Sequence, residues 1–299
     1  MASGSNLLPS LAVLTSIISL TVGTSFGKHL FSVVGPQGTS AIRVGLAAIL
    51  MLAFWRPWRQ PLDKDAIKRI GIYGLVMGGM NFCFYMSLDT LPIGIAIAIE
   101  FTGPLVVAIL SSRKALDFLW IILAVVGLAM LLPITPGAVS LNPIGVAYAF
   151  TAATLWGLYI VVGKRVGHLP AGHTTSYGMM IGGVLLFPFA ITHVGAKILD
   201  PNILFGGLGL AIASSAIPYT LEMYALKRLP RNTFSILLSL EPAVGAISGM
   251  LILSELLSIQ QWLAIVSVMF ASIGSAVTSK SHETVNADSA EAADAEIVA

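Results

Sequence analysis

The sequence predicts an all-α integral membrane protein of ten transmembrane helices, built as two inverted five-helix repeats with the N- and C-termini cytoplasmic. Three observations predict it: an apolar composition, the number of long apolar runs, and a correspondence between the two halves. Of 299 residues, 56% are hydrophobic and 10% charged, with a mean hydropathy of +0.89. So little polar surface cannot face water on all sides of a chain this long. The lipid bilayer is therefore the expected surrounding, and no nucleic-acid partner is expected.

Crossing the hydrocarbon takes about 17 to 25 apolar residues per helix. Runs of that kind centre near residues 17, 46, 78, 101, 125, 151, 184, 213, 242 and 267. The first, LLPSLAVLTSIISLTV, follows MASGSN, which carries no positive charge, so it reads as a retained anchor rather than a signal peptide. The breaks that follow are GPQG at 35–38, RPWRQPLDKD at 56–65, LP at 91–92, SSRK at 111–114, PITPG at 133–137, GKRVGHLP at 163–170, DPN at 200–202 and KRLPRN at 227–232, with a last gap around Glu255. If the N-terminus is cytoplasmic, the inner segments hold Arg56, Arg59, Lys64, Lys68, Arg69, Arg113, Lys114, Lys164, Arg165, Lys227, Arg228, Arg231 and Lys280, which is 13 of the 16 Lys and Arg. Only Lys28, Arg43 and Lys197 fall elsewhere, the asymmetry of the positive-inside rule. The acidic tail at 280–299 cannot bury a core and is expected to be disordered.

The halves repeat. At an offset of 138, Leu91-Pro92 recurs as Leu229-Pro230, Pro104 as Pro242 and Asp117 as Glu255; at 136, Gly27-Lys28 recurs as Gly163-Lys164. Two units, 1–134 and 141–277, follow, and because five is odd the second crosses in the opposite sense. Inverted repeats mark secondary transporters, whose substrate sites lie near the midplane between the halves.

One motif points elsewhere. Gly23-Thr24-Ser25-Phe26-Gly27 matches G-x-S-x-G, which exposes a nucleophile only at a strand-to-helix turn. Here it ends an apolar helical run, and the second copy has Val161 where the first has Ser25. His29, His168, His173 and His193 sit near expected helix ends, and no H-E-x-x-H, P-loop or dinucleotide fingerprint is present. The chain is not expected to be an enzyme or to carry a cofactor. The single Cys83 excludes a disulfide within the chain and a cysteine-built metal site.

Charges inside membrane segments are costly and so are functional candidates. At about 1.5 Å per residue, Glu241 lies roughly 15 Å beyond Arg231, near the centre. Glu100 lies about 12 Å beyond Pro92, and Arg43, about 20 Å before Arg56, reaches a similar depth. That pair is either a structural ion pair or a substrate contact. Glu222 is shallower and could snorkel, pair with Lys227 or Arg228, or serve substrate or protons. Lys28 reads as a helix-end anchor or gate. Asp117 and Glu255, at helix starts, suit the positive end of the helix dipole. Pro104 and Pro242 break the fourth and ninth helices at equivalent depths, so those helices are expected to bracket the cavity. Asn81, Tyr85, Trp156, Tyr159 and Tyr219 are candidate lining, with plain packing the alternative for any one aromatic.

The segment LEPAVGAISGMLILSELLSIQQWLAIV, with its mid-helix proline and a glutamate thirteen residues on, resembles the end of an EamA-type domain, and residues 10–278 resemble the drug/metabolite transporter superfamily. GTSAIRVGLAAIL, GGMNFCFYMSLDTLPIGIAIAIEFTGPLVVAILSSR and IPYTLEMYALKRLP are similar to its bacterial inner-membrane exporters of threonine and homoserine. The resemblance implies a multi-pass protein of the bacterial inner membrane that exports small amino acids, and the intramembrane charges suggest proton antiport. The substrate ammonium would go to Glu241 or Glu100 and its carboxylate to Arg43 or a freed helix amide. Alternatives on the same scaffold are exporters of aromatic amino acids, nucleobases or cationic drugs, and a lipid-linked sugar flippase. A sensor or assembly subunit would need a large polar loop, which is absent. Oligomeric state is not legible, since Gly78-Gly79 and Gly182-Gly183 allow close helix contact within or between chains.

Overall fold

Helix-forming runs become helices wherever the chain is described. The computed structural model describes residues 7–59, 62–110, 115–131, 141–166, 169–226 and 228–277, and every long regular element among them is helical. The first half holds α1 (Leu7–Lys28), α2 (Phe31–Trp55), α3 (Lys64–Leu88), α4 (Ile93–Glu100), α5 (Thr102–Leu110) and α6 (Ala115–Met130). The second holds α7 (Pro143–Arg165), α8 (Ala171–Val194), α9 (Pro201–Ala211), α10 (Ile217–Leu226), α11 (Arg231–Leu238), α12 (Glu241–Leu253) and α13 (Ile259–Val277). Among the described residues, eight helical spans are long and apolar enough to cross a membrane, with α9–α10 and most of α11–α12 each making one, and two shorter apolar ones, Ile93–Val107 and Phe118–Met130, accompany them. SSRK at 111–114, PITPG at 133–137, His168, Lys227 and the tail at 280–299 lie outside the described residues, as does the Asp117 side chain.

Local chemistry sets the helix starts. Asp63 accepts from Ala66 N–H at 2.6 Å to open α3, and Asn142 accepts from Ile144 N–H at 2.9 Å ahead of Pro143. Asp200 accepts from Asn202 N–H at 2.8 Å ahead of Pro201. Each carboxylate or amide satisfies an N–H that the first turn leaves without a partner.

The expected break at GPQG is corrected. The chain turns earlier, at His29–Leu30, and residues 35–38 lie inside α2. Gly35 there takes φ 65° and Pro36 follows, so the positive φ that only glycine adopts cheaply produces a kink rather than a loop. The helix breaks are shifted too. They fall at Phe101, between α4 and α5, and at Ser239–Leu240, between α11 and α12, each starting three residues before its proline. Pro104 cannot donate to the Glu100 carbonyl, nor Pro242 to that of Leu238, so the missing bond loosens the turn upstream of the ring.

Glycines let the halves approach closely. A Cβ on Gly78 would lie 2.7 Å from the Gly182 Cα, so α3 and α8 meet backbone to backbone within one chain. A Cβ on Gly94 would lie 2.6 Å from the Ala246 Cα, where α4 crosses α12. Between α9 and α10 the ladder widens into a π-helical turn at Ile212–Ala216. A Cβ on Gly23 would lie 2.9 Å from the Ser214 nitrogen of that turn, so α1 presses directly against it.

A central cavity at two broken helices

The broken helices α4–α5 and α11–α12 flank a cavity of about 540 Å³, to which they contribute Glu100, Phe101, Pro104, Phe234, Ser235, Leu238 and Glu241. That volume is ordinary for a small-molecule site. Arg43, Asn81, Trp156, Tyr159, Tyr219 and Glu222 also line it. The lining extends from the breaks to Leu226 and Ala276, near the ends of α10 and α13. All four charged candidates thus come together, from α2, α4, α10 and α12.

Arg43 is the anchor. Its Nε donates to Ser214 Oγ at 2.9 Å and its Nη2 to the Ser214 carbonyl at 2.9 Å. Its Nη1 donates to Asn81 Oδ1 at 2.6 Å, while Asn81 Nδ2 is held by the Met77 carbonyl at 2.9 Å. The guanidinium therefore stands in one orientation and is 4% exposed. A guanidinium carries five N–H donors; the three bonds above leave two for a ligand. The π-helical turn makes this possible, because widened turns free main-chain carbonyls and recur at functional sites. One freed carbonyl, Ala213, accepts from Ser19 Oγ at 2.6 Å, and the next, Ser214, accepts from Arg43.

The acids stand apart from Arg43. No ion pair joins Arg43 to Glu100; the one ion pair among the described residues is Lys28–Glu255. The expected structural pair is corrected, since Ser214 and Asn81 already hold the guanidinium. Its charge still acts through space on Glu100, and Glu241 interacts electrostatically with both Glu222 and Glu100. Glu222 Oε1 accepts from Ser16 Oγ at 2.7 Å. Arg228 is not its partner: the Arg228 guanidinium stacks 3.9 Å from the Tyr224 ring and donates to the Tyr224 carbonyl. One fixed cation and three carboxyls share the cavity.

The aromatic candidates divide. Trp156 meets Phe101 edge-on at 4.9 Å across the α4–α5 break. Tyr159 stacks on Tyr73 at 4.8 Å and accepts a hydrogen bond from the Tyr73 hydroxyl at 2.7 Å. Tyr85 does not line the cavity and corrects that expectation: it is fully buried, its ring 5.3 Å from the Arg43 guanidinium carbon. Pro104 lines the cavity, whereas Pro242 is buried behind Glu241 in the first turn of α12. Ser25 lies inside α1 rather than at a strand-to-helix turn; its hydroxyl donates to the Thr21 carbonyl at 2.8 Å.

At the opposite end, Lys28 Nζ donates to Glu255 Oε1 at 2.7 Å and to the Leu91 carbonyl at 3.0 Å. Glu255 Oε2 accepts from Ile93 N–H at 2.9 Å. Glu255 therefore caps a helix, as its charge suggested, but the helix is α4 and not the one that follows it. Sequence reasoning missed Ser214 and Ser16, whose hydroxyls carry no pattern of their own.

The EamA-like transporter family model matches residues 7–134 and 143–277. The chain is 43% identical over 273 residues to the threonine/homoserine exporter RhtA of Salmonella typhimurium (strain SL1344), covering 91% of this chain and 92% of that one. It is 42% identical over the same shares to RhtA of Escherichia coli (strain K12). A crystal structure of a protein with 18% identity superimposes with a TM-score of 0.63 over 95% of this chain and 100% of that one, which shows the shared fold. A family model matched by both halves and relatives 42–43% identical over 91% of the chain give one conclusion: the chain belongs to the EamA-like transporter family.

Proposed function

We propose that the chain exports threonine and homoserine across the bacterial inner membrane by proton antiport with alternating access. One observation carries the reading. Arg43 is held with two N–H donors to spare in the same cavity as Glu100, Glu222 and Glu241. A zwitterionic amino acid needs such opposite poles a short distance apart. Arg43 takes the carboxylate, and Glu241 or Glu100 takes either the ammonium or a proton. Because one carboxylate cannot hold both, proton entry drives the amino acid out. The RhtA relatives support this substrate class.

In this reading ten helices form two inverted repeats, 1–134 and 141–277, with both termini cytoplasmic. The eight long and two shorter apolar helices support the count, and the basic residues support the orientation. The cavity then opens toward the cytoplasm, and the Lys28–Glu255 contact closes the outer end. Uptake of radiolabelled threonine into inside-out vesicles, with and without an acid-inside gradient, tests the proposal. Gradient-dependent accumulation that homoserine inhibits supports it. An absence of accumulation by folded, correctly oriented protein removes the substrate assignment and leaves the fold.

A further inference from the structure

Among the described residues, four buried polar side-chain atoms have no hydrogen-bond partner: Ser40 Oγ, Trp55 Nε1, Tyr85 OH and Ser215 Oγ. Three of the four adjoin Arg43 or its ligand. Tyr85 packs against the guanidinium, Ser40 lies three residues before Arg43 on the same face of α2, and Ser215 follows Ser214. Buried hydroxyls are normally bonded, so a group of orphans beside one charged side chain calls for an explanation. Ser40 and Tyr85 both lie about one turn from the cavity's polar layer, Arg43 and Asn81, toward the outer ends of α2 and α3.

What covers Tyr85 is apolar. Tyr85 belongs to a buried cluster with Leu88, Leu91 and Ile93, against which Phe31 and Leu253 pack. The Leu91 carbonyl and the Ile93 N–H are the two backbone groups gripped by Lys28 and Glu255. Moving outward from the cavity, the order is therefore Arg43, the Tyr85 hydroxyl, an apolar plug, and an ion pair that joins α1 and α4 of one half to the end of α12 in the other.

We propose that Tyr85 and Ser40 form the outward subsite of the transport path: once the Lys28–Glu255 latch parts, their hydroxyls receive the carboxylate of the amino acid leaving Arg43. The subsite rests on the amino-acid export reading above. It explains why the hydroxyls lack partners in a cavity-inward state: their ligand reaches them in the other state. The Arg43 guanidinium carbon lies 5.3 Å from the Tyr85 ring centroid, so one cation adjoins both the cavity and the subsite.

Two experiments test it. Tyr85→Phe removes an oxygen that bonds nothing in this state, so threonine affinity measured from the cytoplasmic side and the thermal midpoint stay at wild-type values. Turnover falls about tenfold, the effect of one hydrogen bond lost on the path. Wild-type turnover overturns the proposal, and so does an equal loss of affinity and turnover, which would make Tyr85 a support for Arg43 alone. The second experiment needs no substrate. In a Cys83→Ala background, Ser40→Cys is protected from a membrane-impermeant thiol reagent added outside, and Glu255→Gln speeds labelling about tenfold by shifting the population outward. Labelling that stays slow in Glu255→Gln overturns the exit route. If wild-type protein moves no threonine while labelling responds as described, the substrate assignment fails and the path stands.

Discussion

A guanidinium in the middle of an apolar bundle is tolerated only where its donors are met, and Arg43 meets them with a serine 171 residues away and an asparagine 38 away. Lysine presents one compact charge and cannot reproduce the fork to Ser214 and Asn81. Arg43→Lys should lower threonine transport by at least tenfold, roughly one charge-assisted hydrogen bond, with folded protein still recovered. Glu241→Gln should keep the fold but uncouple transport from the proton gradient. Proton-driven accumulation retained in that variant would remove Glu241 from the mechanism. At this scale the charged residues were legible because a charge in an apolar run has few explanations. Their neutral partners were not: one serine among many has no signature until folding brings it to Arg43. Tyr85 shows the same limit, since depth along α3 says nothing about whether a ring faces the cavity or lies behind a guanidinium.

Helix contacts here depend on missing side chains. At Gly94 a Cβ would meet the Ala246 Cα and nitrogen at 2.6 and 2.9 Å, and backbone cannot swing aside as a flexible side chain can. Gly94→Ala should push α4 from α12 and cost about 1 to 3 kcal/mol, the range for overpacking. Gly71 sits on α3 in open space, with nothing within 4 Å of where a Cβ would stand. Gly71→Ala should be neutral or gain up to about 1 kcal/mol from helix propensity. Thermal unfolding in detergent compares the two; equal midpoints would mean that the α4–α12 crossing is looser than its geometry. Helix positions are readable from apolar runs and prolines, whereas the sequence alone puts the breaks at the prolines themselves. A proline's missing donor is felt by the carbonyl four residues back, so the open turns lie at Phe101 and Ser239. The π-helical turn at Ile212–Ala216 leaves no mark in a run that reads as continuous helix.

At the scale of the whole molecule, the inverted repeat proposed above would make the two ends of the path equivalent under exchange of the halves. Lys28, at the end of α1, is paired with Glu255 and largely buried, while its counterpart Lys164, near the end of α7, is exposed. Equivalent lysines in unequal states are what one half-cycle of alternating access should contain, with one end latched and the other released. When the outer latch parts, Lys164 should take up the corresponding role at the cytoplasmic end. Neutralising each lysine therefore biases the population in opposite directions. Lys28→Gln should raise outside labelling of Ser40→Cys, because the latched state loses its ion pair. Lys164→Gln should lower that labelling below the level of Ser40→Cys in the otherwise unchanged Cys83→Ala background and slow threonine exchange, because the outward-facing state loses its own closure. A ligand or contact shifts such an equilibrium only by its difference between the two states, so a variant that moved neither population would show that its lysine bonds equally in both. If both variants shifted labelling in the same direction, the repeat would still describe the ancestry of the fold, but the two ends would not work as exchanged copies of one latch.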